Sequence, residues 1–110
     1  MVLPGGQINP DVLRAKADVV QKIKDFASTG KPLAAICHAP WLLIEADLVR
    51  GKRLTSFTSI RTDLKNAGAD AVDEQVATDG NLITSRNPGD LDAFCAAITE
   101  AVANNARKAA

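Results

Sequence analysis

Tyrosine is absent from this 110-residue chain, and aromatic residues make up only 4% of it. Phe26, Trp41, Phe57 and Phe94 are scattered, so there is no platform on which nucleic-acid bases could stack. Charge is equally unhelpful to a polyanion partner. Lys plus Arg and Asp plus Glu both number 13, for a formal net charge of zero, which argues against a nucleic-acid footprint. With one histidine and no Cys-x-x-Cys spacing, no zinc site, metal or cofactor is expected. Gly5-Gly6 is not a Gly-x-Gly-x-x-Gly turn, and no Lys-Ser/Thr follows it, so dinucleotide and P-loop readings gain little support. No apolar run reaches the length of a membrane span, and the first residues lack a basic region followed by a signal-type core. The two cysteines, Cys37 and Cys95, make no disulfide framework. A reducing cytoplasm is the expected compartment.

What is present is concentrated in Leu33-Ala-Ala-Ile-Cys-His-Ala-Pro-Trp41. Gly30-Lys31-Pro32 punctuates the chain, and the four apolar residues that follow read as a short buried strand. Pro40 sits where the first turn of a helix tolerates proline, and Trp41 to Ala46 is apolar almost all round, the pattern of a buried helix. A strand that turns abruptly into a helix with a nucleophile at the corner is a nucleophile elbow. The corner residue is strained, so its neighbours two positions away must be small; here they are Ala35 and Ala39. The unpaired N–H groups and partial positive charge of a helix start favour a thiolate. The N–H of His38 is placed to donate to an oxyanion. From these residues alone, a buried core cysteine beside an incidental histidine remains open.

The rest of the chain supplies an α/β frame. Val2-Leu3-Pro4 looks like the tail of a strand, and Gly5-Gly6 like a sharp turn. Asn9 is the N-cap candidate and Pro10 the first residue of a helix whose apolar stripe runs from Val12 to Ala27 and ends at Gly30. Gly51 is expected to close the helix that starts at Pro40. Arg53–Phe57 reads as a strand, and Ile60–Ala67 as a helix capped by Thr58 or Ser59. Ala71–Thr78 and Asn81–Ser85 form a hairpin about Asp79-Gly80. Asp90 is expected to cap a last helix with Leu91, Phe94, Ile98 and Val102 on its inner face, Cys95 packed beside it as a small hydrophobe, and a tail from Asn104 that frays. This order implies a parallel sheet sandwiched by helices, with a β-hairpin near the C-terminus.

Several runs then carry a resemblance. LPGG (Leu3–Gly6), NPDVLR (Asn9–Arg14), GKPLAAICHAPWLL (Gly30–Leu43), LVRGKRLTSF (Leu48–Phe57), DLKNAGA (Asp63–Ala69), VDEQV (Val72–Val76) and DGNLITSRNPGDL (Asp79–Leu91) together are similar to the PfpI-like branch of the DJ-1/PfpI superfamily. These are flavodoxin-like proteins of the class I glutamine-amidotransferase-like group. The resemblance implies that Cys37 is the nucleophile and that His38 orients or deprotonates it. It implies that Asp11 reaches that histidine from a neighbouring subunit, and that the N–H of Gly6 joins that of residue 38 in an oxyanion hole. It also implies a cysteine-dependent stress protein of peptidase, glyoxalase or deglycase type, acting on small carbonyl compounds or on peptide and protein adducts. Alternatives are a non-catalytic redox-sensing or chaperone-like stress protein, or an inactive fragment. Family members carry further strands and a helix ahead of the LPGG strand. Residues 1–110 therefore read as one partial domain, incomplete at the N-terminus. Apolar surface around Val2, Leu3 and Ile36 is expected to be exposed and to drive homo-oligomerisation through an open sheet edge.

Overall fold

The computed structural model describes residues 1–109. A four-stranded sheet forms its centre, in the order β1 (Val2–Leu3), β2 (Leu33–Ile36), β6 (Leu82–Ser85), β5 (Val76–Asp79). β1, β2 and β6 are parallel, and β5 returns antiparallel to β6 through the Asp79-Gly80 turn. Gly80 takes a φ of 59° there, the left-handed conformation that glycine adopts without strain.

All four residues of β2 are buried, because this central strand is covered on both faces. Leu33 and Ala35 pack on one side with Leu42, Leu43, Leu54 and Leu64. These side chains come from α3 (Pro40–Glu45), β3 (Arg53–Leu54) and α4 (Arg61–Asn66), with Ile23 added from α2 (Ala17–Ala27). Ala34 and Ile36 point the other way, onto Ile83 and onto Phe94 of α5 (Leu91–Ala109). Burying a side chain such as Leu42, Leu43 or Leu64 is worth about 1.5–3 kcal/mol. The result is a helix–sheet–helix sandwich, as the sequence pattern implies. None of the described helices is long and apolar enough to cross a membrane.

Several local expectations are corrected. The first helix is two: α1 (Ile8–Leu13) and α2, separated where Lys16 is extended at φ −101°, ψ 106°. Arg14, at the break, reaches Glu45 at 3.0 Å and lies over the Trp41 ring. Asn9 lies inside α1, which starts after Gln7 with no side-chain cap. α3 ends at Glu45, and the chain turns at Asp47 with a φ of 55°, ahead of Gly51. The expected strand over residues 71–78 is split: β4 (Asp70–Ala71) pairs with β3 in a separate two-stranded parallel sheet, and the acidic stretch Asp73-Glu74 separates it from β5. β3 is tied to the main sheet by a side chain, since its Arg53 N–H donates to the Asp79 carboxylate at 2.8 Å.

Asp90 is not a cap. It is buried and grips Arg86 through two charge-assisted bonds of 2.9 Å, while Asn87 accepts from the Gly89 N–H in its place. On α5, Phe94 and Ile98 face inward as expected, but Leu91 and Val102 are exposed, and Ala97 and Ala101 take their places in the packed face. Cys95 is exposed rather than packed. α5 continues through Ala109 rather than fraying from Asn104; Ala110 lies outside the described residues. At the β1 edge, Val2 is 51% exposed, but Leu3 and Ile36 are buried at 8% each.

Candidate active site

The site is assembled at the carboxyl end of β2. Cys37 follows Ile36 directly and adopts a φ of 67°. That conformation strains a residue with a side chain and persists only where the surroundings over-determine it. Here the backbone is held from two sides. The Cys37 N–H donates to the carbonyl of Ser85 at 3.0 Å, and the Cys37 carbonyl accepts from the N–H of Phe57 at 2.8 Å. Ala35 and Ala39, the small neighbours the elbow requires, are both fully buried. A third constraint comes from the loop after β1. A Cβ on Gly5 would lie 3.0 Å from the Cβ of Cys37 and 3.4 Å from the Ile36 carbonyl. An alanine Cβ here would crowd the elbow, so glycine suits this close approach.

The elbow brings sulfur and imidazole together. Sγ of Cys37 is 3.2 Å from Nδ1 of His38. The His38 ring is wedged against Phe57, stacked at 4.8 Å, and Trp41, edge-on at 5.2 Å. Trp41 is fixed in turn by its indole N–H, which donates to Asp63 at 2.9 Å. The residue is only 7% exposed, and burial lowers the His38 pKa, holding the ring in its neutral, proton-accepting form. The other ring nitrogen, Nε2, lies 3.3 Å from the Ser59 hydroxyl. Ser59 sits in the 3₁₀ turn Thr58–Ile60 that leads into α4, where no side chain caps the helix. The hydroxyl read from sequence as a cap is spent on the imidazole instead.

Of the other residues singled out in the sequence, Gly6 lies in the loop that passes Cys37, with a φ of 87°. Among the described residues, neither the Gly6 nor the His38 N–H donates to a protein acceptor. Asp11 stands exposed on α1, and within the chain its carboxylate meets neither ring nitrogen of His38. Sequence reasoning missed Ser59, the aromatic clamp of Phe57 and Trp41, and the close approach of Gly5. Among the described residues, no three His, Cys, Asp or Glu side chains converge as a metal would need. A groove lined by Thr78, Asn81, Glu100, Ala101 and Asn104 opens at the opposite end of the sheet, away from Cys37.

Comparison with known proteins places the chain in a family. The family model described as DJ-1/PfpI family matches residues 1–101. The chain belongs to the DJ-1/PfpI family. It is 50% identical over 95 residues to protein/nucleic acid deglycase 2 of Escherichia coli, covering 86% of this chain and 55% of that protein. It is 43% identical over 94 residues to deglycase PfpI of Pyrococcus furiosus, covering 86% of this chain and 56% of that protein. Its fold is similar to the crystal structure of Drosophila melanogaster DJ-1beta, with a TM-score of 0.84, 38% identity, and coverage of 92% of this chain and 55% of that one. The chain thus spans about half the length of the curated relatives it matches.

Proposed function

We propose that this DJ-1/PfpI chain performs thiolate addition to the carbonyl carbon of small reactive aldehydes, or of their adducts on peptides and proteins, in a stress-protective role. The observation that carries the reading is the 3.2 Å contact between Sγ of Cys37 and Nδ1 of His38 at a positive-φ corner. The names of the two deglycases support it. His38 takes the thiol proton on Nδ1, the sulfur forms a bond to the aldehyde carbon, and the carbonyl π pair moves onto oxygen. The N–H groups of His38 and Gly6 are proposed to receive that oxyanion. With methylglyoxal and one water, the net product is lactate. The aldehyde carbon is oxidised and the adjacent ketone carbon reduced within one molecule, so no outside redox partner is required.

Asp11 is proposed to approach His38 from a second copy, since it stands exposed and distant in bonding from the ring of its own chain. The exposed Ile8 and Val12 on α1, the helix that carries Asp11, support self-association. Sedimentation at low micromolar concentration tests this, and a persistent monomer contradicts it. For the chemistry, Cys37→Ser is expected to abolish methylglyoxal consumption and Cys95→Ser to leave it nearly intact. Turnover that persists in Cys37→Ser overturns the proposal.

A further inference from the structure

We propose that the Ser59 hydroxyl is the positioning group for His38: its oxygen accepts a hydrogen bond from Nε2–H and so leaves the Nδ1 lone pair aimed at the Cys37 thiol. The inference rests on the carbonyl-addition reading, in which Nδ1 must accept. A neutral imidazole carries one proton, and which nitrogen holds it is set by the partner of the other. Here both nitrogens have a partner within the chain, Sγ at 3.2 Å and the Ser59 Oγ at 3.3 Å. The ring is packed between Phe57 and Trp41, which opposes a turnover that would exchange them.

Ser59 is held where it can do this. The segment that carries it is pinned to the elbow by the bond from the Phe57 N–H to the Cys37 carbonyl, and it is anchored by Ile60, which is 2% exposed. Two charged groups flank the clamp, Asp63 of α4 and Arg14 just after α1. Asp63 accepts a hydrogen bond from the Trp41 indole N–H, and Arg14 lies 5.3 Å from the Trp41 ring centre. Both engage Trp41 and leave Nε2 to Ser59.

The proton step balances without any outside reagent. The S–H bond of Cys37 breaks, Nδ1–H forms, and the imidazolium keeps its Nε2–H on the serine oxygen. Burial of the ring makes that acceptor matter more, because little water is available to replace it. An Asp11 carboxylate from a second copy would share the Nε2–H hydrogen bond that the Ser59 oxygen already accepts, so the tautomer is set before assembly.

The chain has a single histidine, so ¹⁵N chemical shifts of the imidazole report on His38 alone. In the unmodified 110-residue chain above pH 7, the Nε2–H tautomer should dominate. Ser59→Ala should give a mixed tautomer population and slow iodoacetamide alkylation of Cys37 about 3- to 10-fold, the worth of one ordinary hydrogen bond. Alkylation of Cys95 should not change. Ser59→Thr, which keeps the hydroxyl, should restore both readouts, and it carries the test if circular dichroism shows the alanine variant to be misfolded. An Nδ1–H tautomer in the unmodified chain overturns the assignment. So does a folded Ser59→Ala chain with unaltered tautomer and rate, or a folded Ser59→Thr chain that restores neither. Neither readout needs turnover, so failure here is distinguishable from failure of the carbonyl chemistry.

Discussion

Cys37 and Cys95 carry the same thiol in opposite settings. Cys95 lies on the outer side of a long regular helix, exposed, and its backbone carbonyl accepts the Thr99 hydroxyl at 2.9 Å. With a single histidine in the chain, already beside Cys37, Cys95 has no imidazole to take its proton. Cys37 is half-buried, strained at φ 67° and 3.2 Å from that imidazole. Access favours Cys95; chemistry favours Cys37. The proposed reactivity of Cys37 rests on backbone placement and one neighbour, since composition makes no distinction between the two residues.

The comparison breaks most severely at His38. His38→Ala should lower methylglyoxal turnover by about 10²- to 10⁴-fold, the usual range for a general acid or base, and leave Cys37 with no proton acceptor that Cys95 lacks. Steady-state kinetics on the folded variant measure this; a loss smaller than tenfold would contradict the role of the ring.

Gly5 offers a subtler break. In Gly5→Ala the new Cβ would press on the Cβ of Cys37 from 3.0 Å. The expected cost is about 1–3 kcal/mol of stability, typical of overpacking, with slower Cys37 alkylation and unchanged Cys95 alkylation. Urea unfolding and peptide mass analysis read the two effects separately. An alanine chain of unaltered stability and labelling would show that the loop is free to retreat.

The smallest expected effect is on pH dependence. Burial depresses the His38 pKa below its ordinary 6.5. Between the folded value and 6.5 the unfolded chain binds more protons, so stability rises with pH across that window. The contribution is fully present above 6.5 and is lost as pH falls through the folded value. His38→Phe should flatten this part of a urea-midpoint profile. A further loss is expected below pH 3.8, where protonation of Asp90 breaks its pairing with Arg86; that bond is what holds its carboxyl below the ordinary value. Asp90→Asn should remove that step, whereas Cys95→Ser should alter neither.

The sharp local signals were legible in the sequence. Gly30-Lys31-Pro32, four apolar residues and Pro40 bound β2 and the elbow correctly, and Asp79-Gly80 marked the hairpin. What failed depended on partners distant in sequence. An apolar stripe running on from Val12 hides the break at Lys16, which accompanies the reach of Arg14 toward Glu45 and Trp41. Ser59 looked like a cap because Ser and Thr before a helix usually cap it, and nothing in the sequence points it at a ring 21 positions earlier. Asp90 is the exception: its partner Arg86 lies only four residues away, and nothing in the sequence shows that it pairs with that guanidinium rather than capping the helix. Cys95 was misjudged because a place beside an apolar stripe does not tell how deep the stripe lies. The fold was thus readable from local pattern, whereas the surroundings of His38 required tertiary contacts.

The most direct test is competitive alkylation of the intact chain by substoichiometric iodoacetamide at pH 7, with each cysteine followed by peptide mass. If neighbours govern reactivity, the half-buried Cys37 is labelled about tenfold or more faster than the exposed Cys95. If Cys95 is labelled as fast or faster, access alone governs, and the assignment of Cys37 and His38 as a nucleophile–base pair is contradicted.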